Sequence, residues 1–233
     1  MTTFKEYLSA LVYIFFPDVC LACGGVIEQG EKTICSICKF SFPRTNFHLD
    51  NENALAQKFW GRTKVEHAIA YLFFKKAADV QSMLHYLKYK DSPEVGILIG
   101  NWYGQELLEN DFHKNFDVII PVPLHPKKLR KRGYNQSACF GEGLAEVWKI
   151  PHLEHGLEKV TNTSSQTKKS RQERYENMKA GFLVPNPEEI KDKNILIVDD
   201  VVTTGATLEA CINLLLEKGA KTVSIAAIAI TQI

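Results

Sequence analysis

Residues 194–207 place the strongest constraint on the fold of this chain. They read N-I-L-I-V-D-D-V-V-T-T-G-A-T, in which four aliphatic residues at 195–198 are followed at once by two acids. An unbroken aliphatic run is typical of a strand buried on both faces of a parallel sheet. A hydroxyl-rich turn then leads into a helical pattern that ends at Lys218-Gly219, a basic last turn and C-cap glycine. The stretch predicts a strand, a loop at the ligand-binding end of the sheet, and a helix.

The loop at residues 199–207 carries groups suited to a phosphorylated sugar. Three threonines, a glycine and the free backbone N–H groups at a helix start form a cradle for a phosphate. Asp199 and Asp200 repel a bare phosphate, so their better partners are sugar hydroxyls or a hydrated divalent cation. A phosphorylated ribose satisfies both halves of the loop. The alternative is an ordinary strand and turn with a threonine N-cap, but strand, acid pair and Thr-Thr-Gly all occur in register.

Length and composition are those of an ordinary globular protein. The chain has 233 residues, of which 45% are hydrophobic and 24% charged, enough for one well-buried domain and a small appendage. The formal net charge of +1 argues against a globally basic nucleic-acid coat, so attraction to nucleic acid has to come from local patches. No apolar run approaches about 18 residues, and the apolar spacing at 4–16 predicts an internal helix. We therefore expect a cytoplasmic protein with no membrane span.

Four cysteines near the start of the chain form two C-x-x-C pairs. Cys20 and Cys23 are separated from Cys35 and Cys38 by eleven residues. Each pair presents two thiolates from one tight turn, and together they supply the four sulfur ligands that structural Zn²⁺ prefers. A redox site needs only one such pair, and disulfides are disfavoured in a cytoplasmic chain. We predict a structural zinc that holds together a small ribbon-like subdomain and does not catalyse.

The rest of the chain alternates between helical and strand patterns. Helices are predicted at 54–59, 80–89, 97–108 and 136–148, and strands at 65–74, from 117, at 156–160, at 180–184 and at 222–230. We expect an α/β fold in three regions: a helix and four-cysteine subdomain at 1–50, a hood-like connecting region at 51–115, and the main domain at 116–233.

Two polar stretches follow predicted strands. The loop at 125–136, H-P-K-K-L-R-K-R-G-Y-N-Q, places five cations directly after a strand end, where α/β sheets bind ligands. Residues 161–177 are rich in Ser, Thr and Asn and contain a capping-box pattern, which is typical of a mobile loop before a helix. The functional interpretation is an anion site covered by a hood-like loop. A solvated surface and a flexible connector are the alternatives. A basic and aromatic corner, L-K-Y-K at 87–90, is explained equally well by a solvated helix end.

These motifs resemble those of the ComF family of competence-associated proteins, within the superfamily of type I phosphoribosyltransferases. V-D-D-V-V-T-T-G-A-T is similar to the superfamily signature for 5-phosphoribosyl-1-pyrophosphate (PRPP). The family resemblance adds P-V-P-L-H-P-x-x-L-R-x-R-G-Y-N-Q, then Gln166…Ser170-x-x-x-Arg174-x-x-Asn177, behind the four cysteines, and so covers nearly the whole chain. It implies a type I phosphoribosyltransferase-like parallel sheet flanked by helices, a zinc-ribbon-like head, binding of PRPP and Mg²⁺, and a role in DNA uptake during natural transformation.

The resemblance also assigns roles to residues. Asp199 and Asp200 would be the catalytic pair that holds the ribose 2′- and 3′-hydroxyls, and residues 203–207 would hold the 5′-phosphate. The substrate-binding residues expected are Val201, Thr203, Thr204, Gly205, Ala206, Thr207, Lys127, Lys128, Arg130, Arg132, Tyr134, Asn135, Lys88 and Gln166. Family members tend to begin the flexible loop with R-x-R-x-T-x-x-Q, where this chain has Lys159, Thr161, Thr163 and Gln166, so its loop carries fewer cations.

Three functions fit these patterns. The first is a PRPP-binding protein that handles incoming single-stranded DNA, with two basic stretches gripping phosphates and Tyr134 or Tyr175 stacking on bases. The second is a phosphoribosyltransferase that displaces pyrophosphate at the ribose C1 for a small acceptor, a nucleobase or an amine, although no side chain stands out as its base. The third is a scaffold without turnover, which the intact acid pair disfavours. The candidate protein partners are a competence helicase and recombination mediators.

Overall fold

The structure, a computed structural model, describes residues 17–28, 30–74, 78–159 and 181–231. The helix predicted over residues 4–16 and the whole loop predicted at 161–177, including Gln166, lie outside the described residues. None of the described helices is both long and apolar enough to cross a membrane.

Four parallel strands form the central sheet. The described strands are β1 (Ala68–Phe74), β2 (Val118–Pro121), β3 (Glu158–Lys159), β4 (Phe182–Leu183), β5 (Asn194–Val202) and β6 (Thr222–Thr231). The order across the central sheet is β1-β6-β5-β2. Ile195 of β5 lies opposite Val118 on one side and Val223 on the other. Residues 195–198 are fully buried, which confirms the prediction of a strand covered on both faces.

Helices cover both faces of this sheet. The described α-helices are α1 (Ser36–Ser41), α2 (Ala54–Gln57), α3 (Ala78–Tyr89), α4 (Pro93–Leu108), α5 (Pro126–Arg132), α6 (Gln136–Trp148) and α7 (Ala206–Glu217). Successive side chains of a strand point to opposite faces. Leu196 and Val198 of β5 therefore belong to the core that contains α3, α4 and α6, whereas Ile195 and Ile197 belong to the core that contains α7. The predicted α/β class, a parallel sheet flanked by helices, is confirmed.

The four-cysteine segment packs on the α3 side of the sheet. Cys20 and Cys38 are buried in the same apolar cluster as Val80 and other residues of α3. The Ser82 hydroxyl of α3 donates a hydrogen bond of 3.1 Å to the Leu21 carbonyl oxygen. We call the segment from Cys20 to the end of α1 at Ser41 the head. The head therefore shares its interior with the sheet domain.

The basic run after β2 differs from the predicted loop, because residues Pro126–Arg132 form the helix α5. Pro126 stands at the first helical position, where its missing N–H has no helical partner to lose. The ring nitrogen Nδ1 of His125 accepts a hydrogen bond of 3.1 Å from the Lys127 N–H, and Gly133 ends the helix with a φ of +82°. The prediction of a loop is wrong here because capping groups at both ends stabilise a helix that has no apolar periodicity.

Two of the predicted strands form a separate sheet. β3 and β4 pair antiparallel, with Glu158 opposite Leu183, and both are shorter than the segments predicted at 156–160 and 180–184. β1 comes from the predicted connecting region and forms an edge of the central sheet.

Two glycines allow α4 and α6 to cross closely beside the sheet. A Cβ atom on Gly143 would lie 2.2 Å from the Ile97 carbonyl oxygen, and one on Gly100 would lie 2.3 Å from the Phe140 carbonyl oxygen. These are backbone atoms, which cannot turn aside as the end of a flexible side chain can. The crossing therefore fixes α6, and with it the residues at the start of that helix.

We expect Gly143→Ala to lower the free energy of unfolding by about 2–3 kcal/mol, because the added methyl group overpacks a backbone contact. Urea denaturation followed by circular dichroism measures the change. Gln105→Ala, at an exposed position of α4, is the control and should change stability by less than about 0.5 kcal/mol. Equal stability of the two variants would contradict the close crossing.

Candidate functional site

The acid pair Asp199 and Asp200 lies near the carboxyl end of β5, where side chains from two helices reach it. The Asp199 oxygen Oδ1 accepts hydrogen bonds from the Ser137 hydroxyl at 3.1 Å and from the Asp200 N–H at 2.9 Å. The Asp200 oxygen Oδ2 pairs with Nζ of Lys88, in the last turn of α3, at 2.9 Å. The strand therefore positions the two carboxyl groups, and α3 and α6 each hold one of them.

The surroundings of Asp199 favour its protonated form. Burial, followed by the negative charge of Asp200, raises the pKa of Asp199 to about 7, against the opposing effect of hydrogen bonds from the Asp200 N–H and Ser137. Near neutral pH, Asp199 is therefore only partly ionised. A cation or a set of hydroxyl donors beside the pair would stabilise the ionised form of Asp199.

The threonine-rich turn connects β5 to α7 and depends on Gly205. This residue has a φ of +77°, and a Cβ atom there would lie 2.8 Å from Cζ of Phe59. Backbone conformation and packing therefore both require glycine. The neighbouring residues Thr203, Thr204, Ala206 and Thr207 are exposed. The first N–H groups of a helix have no partner within it, so α7 offers donors at this turn.

Arg62 supports the turn from the side of α2. Its guanidinium donates a hydrogen bond of 3.2 Å to the Thr204 carbonyl oxygen and forms an ion pair with Glu209 of α7. The backbone of the turn is thus fixed before any ligand binds.

A cavity of about 250 Å³ opens beside the acid pair, and we call it the acid-pair cavity. Seven of the predicted site residues line it: Lys88, Lys128, Arg132, Asn135, Asp199, Asp200 and Thr207. They come from α3, α5, the N-cap of α6, β5 and α7. The structure thus brings together the predicted acids, cations and one threonine of the predicted phosphate turn.

The other predicted site residues do not line the acid-pair cavity. Val201 belongs to β5, Thr203, Thr204 and Gly205 belong to the turn, and Ala206 is the first residue of α7. Lys127 and Arg130 are exposed on α5, and Gln166 lies outside the described residues. Tyr134 joins α3 to α4: its hydroxyl donates to the Leu87 carbonyl oxygen at 2.7 Å and accepts from the Ser92 N–H at 3.1 Å. Its ring packs against the apolar core. Tyr134 is therefore not a free stacking platform.

Several groups that line the acid-pair cavity are not among the predicted binding residues. The turn at 122–124, His125 and Gln136 lie in the motif P-V-P-L-H-P-x-x-L-R-x-R-G-Y-N-Q, Lys159 stands only at the start of the flexible loop, and Ser137 lies in no motif. Ser137 follows Asn135, the N-cap of α6, whose side-chain oxygen accepts from the Ser137 N–H at 3.1 Å and whose amide donates to the Val122 carbonyl oxygen at 3.0 Å. An N-cap directly after a predicted ligand loop is the signal that points to Ser137. Both polar groups of the Asn135 side chain are therefore hydrogen-bonded to the backbone.

The four cysteine sulfurs of the head converge at one point. All four Sγ atoms lie within 4.8 Å of one another, and those of Cys23 and Cys35 are 4.0 Å apart. Tetrahedral Zn²⁺ with bonds of about 2.3 Å separates its sulfurs by about 3.8 Å. Burial raises the pKa of Cys20, but hydrogen bonds from backbone N–H groups outweigh it and lower that pKa to about 7. The described cysteines form no disulfide. The donor set fits a four-coordinate metal ion.

We expect Asp199→Asn to stabilise the protein at pH 8 by on the order of 2 kcal/mol and to have little effect at pH 4. The folded-state pKa of Asp199 is raised, so its favourable contribution is complete below the unfolded pKa near 4 and is lost as pH rises through about 7. Urea denaturation across this pH range measures the difference. Glu188→Gln, an exposed carboxylate before β5, is the control. A pH-independent effect of Asp199→Asn would contradict the raised pKa.

The part of the chain that carries this site is similar to a known domain family. Residues 144–231, which include the acid pair and the threonine-rich turn, match the family model of the phosphoribosyl transferase domain. Among solved structures, a glutamine PRPP amidotransferase from B. subtilis aligns with 62% of this chain and 30% of its own length, at 21% identity and a TM-score of 0.43. A purine phosphoribosyltransferase from Pyrococcus horikoshii aligns with 59% of this chain and 71% of its own, at 24% identity and a TM-score of 0.34.

Curated relatives extend the similarity beyond the matched domain. Competence protein F of Haemophilus influenzae is 34% identical over 110 residues, 47% of this chain and 48% of its own length. DNA utilization protein YhgH of Shigella flexneri is 28% identical over 90% of this chain and 95% of its own. Competence protein ComFC of Bacillus subtilis is 33% identical over 44% of this chain and 39% of its own. The resemblance of this chain to the ComF family is therefore supported by the phosphoribosyl transferase domain at residues 144–231 and by its similarity to competence and DNA utilization proteins.

Proposed function

We propose that this protein binds PRPP together with Mg²⁺ and supports the handling of single-stranded DNA during DNA uptake. The observation that carries the proposal is the acid-pair cavity, in which two adjacent carboxyl groups, the first threonine of α7 and several cations line one space. PRPP has the matching parts: a 5′-phosphate, a ribose with two hydroxyls, and a pyrophosphate that binds Mg²⁺. The lining therefore suits the ribose and the pyrophosphate, and through Thr207 it reaches the turn that suits the 5′-phosphate.

In the proposed binding mode, each part of the ligand has its own set of residues. The N–H groups and hydroxyls of residues 203–207 hold the 5′-phosphate, since a helix start favours an anion. Asp199 and Asp200 accept hydrogen bonds from the ribose hydroxyls. Lys128, Arg132 and Lys159, which line the same cavity, neutralise the pyrophosphate. Mg²⁺ supplies further positive charge to the pyrophosphate oxygens, with carboxylate oxygen as its protein ligand class.

A second candidate function is transfer of the phosphoribosyl group to a small acceptor, a nucleobase or an amine. In such a transfer, the bond from the ribose C1 to the pyrophosphate oxygen breaks, C1 bonds to the acceptor, and pyrophosphate leaves. The acid pair would hold the ribose in place, and the cations of α5 and β3 would stabilise the charge that develops on the leaving group. The observation that favours this function is that these cations line the cavity on which the acid pair opens.

The DNA role is supported by the names of the relatives, which are competence and DNA utilization proteins. The exposed cations of α5 offer contacts for a phosphate backbone, while the chain as a whole is nearly neutral. DNA contact is therefore proposed for this local patch. The cytoplasm, where incoming single strands meet helicases and recombination mediators, is the proposed place of action, and proteins of those two classes are the proposed partners.

Structural zinc in the head is the last part of the proposal. Four thiolates leave no open coordination position, so Cys20, Cys23, Cys35 and Cys38 would hold the ion without taking part in a reaction. The ion would replace the apolar core that the head is too small to form alone.

We expect PRPP with Mg²⁺ to bind the wild-type protein in isothermal titration calorimetry, and Asp200→Asn to weaken binding at least about tenfold, because a charge-assisted bond to a ribose hydroxyl is lost. Glu188→Gln, at the opposite end of β5, should bind as the wild type does. Absence of binding to the wild type at millimolar PRPP would contradict the proposal. Release of pyrophosphate from bound PRPP upon addition of an acceptor distinguishes the transferase from a protein that only binds.

We expect purified protein to contain about one zinc ion per chain by plasma mass spectrometry, in keeping with one four-thiolate site. Cys38→Ser should lose the metal and expose the head to proteolysis. In such a site the free energy of metal binding stabilises the folded state, so loss of the metal destabilises the fold around it. Cys211→Ser, which alters a cysteine of α7, should keep the zinc. Wild-type protein free of metal, or equal metal content in Cys38→Ser and Cys211→Ser, would count against the site.

For single-stranded DNA, we expect a linear fall of log K with log salt concentration. The triple variant Lys127→Ala, Lys128→Ala, Arg130→Ala should reduce that slope by about 2, because each lost phosphate contact removes about 0.7. The matched control removes three lysines at the amino end of the sheet, Lys191→Ala, Lys218→Ala and Lys221→Ala, and should keep the slope. Equal slopes for both triple variants would exclude phosphate contacts on α5.

A further inference from the structure

A second cavity, of about 400 Å³, lies next to the acid-pair cavity. We call it the tyrosine cavity. Its lining consists of Lys88, Tyr89, Asp91, Arg130, Lys131, Arg132 and Gly133, which come from the end of α3 and the end of α5. Lys88 and Arg132 also line the acid-pair cavity, so the two cavities share a wall. The tyrosine cavity contains neither the acid pair nor the threonine-rich turn.

The lining of the tyrosine cavity combines an aromatic face with several cations. Tyr89 is 59% exposed, and the guanidinium carbon of Arg132 lies 5.2 Å from the centre of its ring. A hydrogen bond of 2.7 Å to the Gln136 side chain holds that guanidinium in place. Cations in the last turn of a helix interact favourably with the helix dipole, which explains the cations at the end of α5. The dipole does not explain the exposed tyrosine ring beside them. A ring with neighbouring cations is suited to a flat base that carries a phosphate.

We propose that the tyrosine cavity binds a nucleotide, with its base against Tyr89 and its phosphate among the cations of α5, and that Lys88 couples this site to the acid-pair cavity. Arg130 and Lys131 are exposed and supply charge to the phosphate. Asp91 also lines the cavity and offers an acceptor to a sugar hydroxyl or to an amino group of the base. An aromatic face alone would accept any apolar ring, whereas these charges select an anionic one.

The coupling follows from the ion pair between Lys88 and Asp200, whose atoms are 2.9 Å apart. A ribose or cation on Asp200 takes the carboxylate away from Lys88, and a phosphate in the tyrosine cavity takes Lys88 away from Asp200. Either ligand breaks the same ion pair, so the second ligand to bind does not have to break it again. Binding of the two ligands is therefore mutually favourable, and the coupling has the same size in both directions. The coupling rests on the proposed function; nucleotide binding in the tyrosine cavity does not.

Thymidine 3′-monophosphate is the probe, because it lacks the 5′-phosphate that the threonine-rich turn would hold. In calorimetric titrations we expect Tyr89→Ala to raise its Kd about fivefold or more, the size of a lost stacking contact, and Tyr89→Phe to bind as the wild type does. Phe40→Ala alters an exposed ring of the head that does not line the cavity and should leave the Kd unchanged. Equal Kd values for Tyr89→Ala and Phe40→Ala would overturn the nucleotide site.

The second titration repeats the first with saturating PRPP and Mg²⁺. We expect the Kd of the nucleotide to fall at least about fivefold in the wild type and to stay constant in Lys88→Met, which keeps the aliphatic stem and loses the charge. Weaker nucleotide binding in the presence of PRPP would mean that both compete for one cavity and would overturn the proposal. A protein that binds no PRPP but still loses nucleotide affinity in Tyr89→Ala would contradict the proposed function and leave the nucleotide site standing.

A third titration distinguishes the source of the nucleotide. Pentathymidylate that binds more tightly than the mononucleotide, and loses that advantage in Tyr89→Ala, assigns the site to a residue of a DNA strand. Equal affinities assign it to a free nucleotide, and both results support the site. Pentathymidylate that binds equally well to the wild type and to Tyr89→Ala would contradict strand binding at this cavity.

Discussion

Two adjacent carboxyl groups, directly after the fully buried residues 195–198 of β5, are the constraint on which the rest of the site depends. Negative charge near the interior is unfavourable unless cations or donors face it. This protein supplies Ser137 and a backbone N–H to Asp199, and Lys88 to Asp200. Even so, the pKa of Asp199 remains raised. In the free protein, neighbouring donors and Lys88 therefore compensate only part of the negative charge of the ionised pair. A ligand that brings hydroxyls or a cation would compensate the rest.

The surrounding fold holds these groups in place. β5 is clamped between β2 and β6, and the close crossing of α4 and α6 fixes the helix from which Ser137 reaches the strand. Tyr134 ties the corner between α3 and α4, just beyond Lys88. A site preorganised by packing in this way does not have to assemble when its ligand arrives, which favours binding. The cations that line the acid-pair cavity come from α3, α5 and β3, which are distant in sequence and meet only in the folded protein.

Sequence patterns predicted the framework well because burial leaves a periodic signature. The aliphatic run of β5, its acids and the apolar spacing of α7 identified a parallel α/β sheet and the end of it that carries polar groups. The helix α5 could not be predicted from periodicity, because its sequence P-K-K-L-R-K-R has no apolar face, and its stability depends on the caps at His125 and Gly133. The role of Ser137 depends on its distance from Asp199, across 62 residues of chain, which no local pattern encodes. Tyr134 resembled a stacking residue by its neighbours in sequence, yet its hydroxyl is engaged by backbone.

The most direct measurement is a crystal structure of the protein grown with saturating PRPP and Mg²⁺. We expect the ribose hydroxyls on Asp199 and Asp200, the 5′-phosphate on the turn at 203–207, and Nζ of Lys88 separated from Asp200. An empty acid-pair cavity, or PRPP bound elsewhere on the protein, would contradict the central claim that this acid pair and turn hold a sugar phosphate.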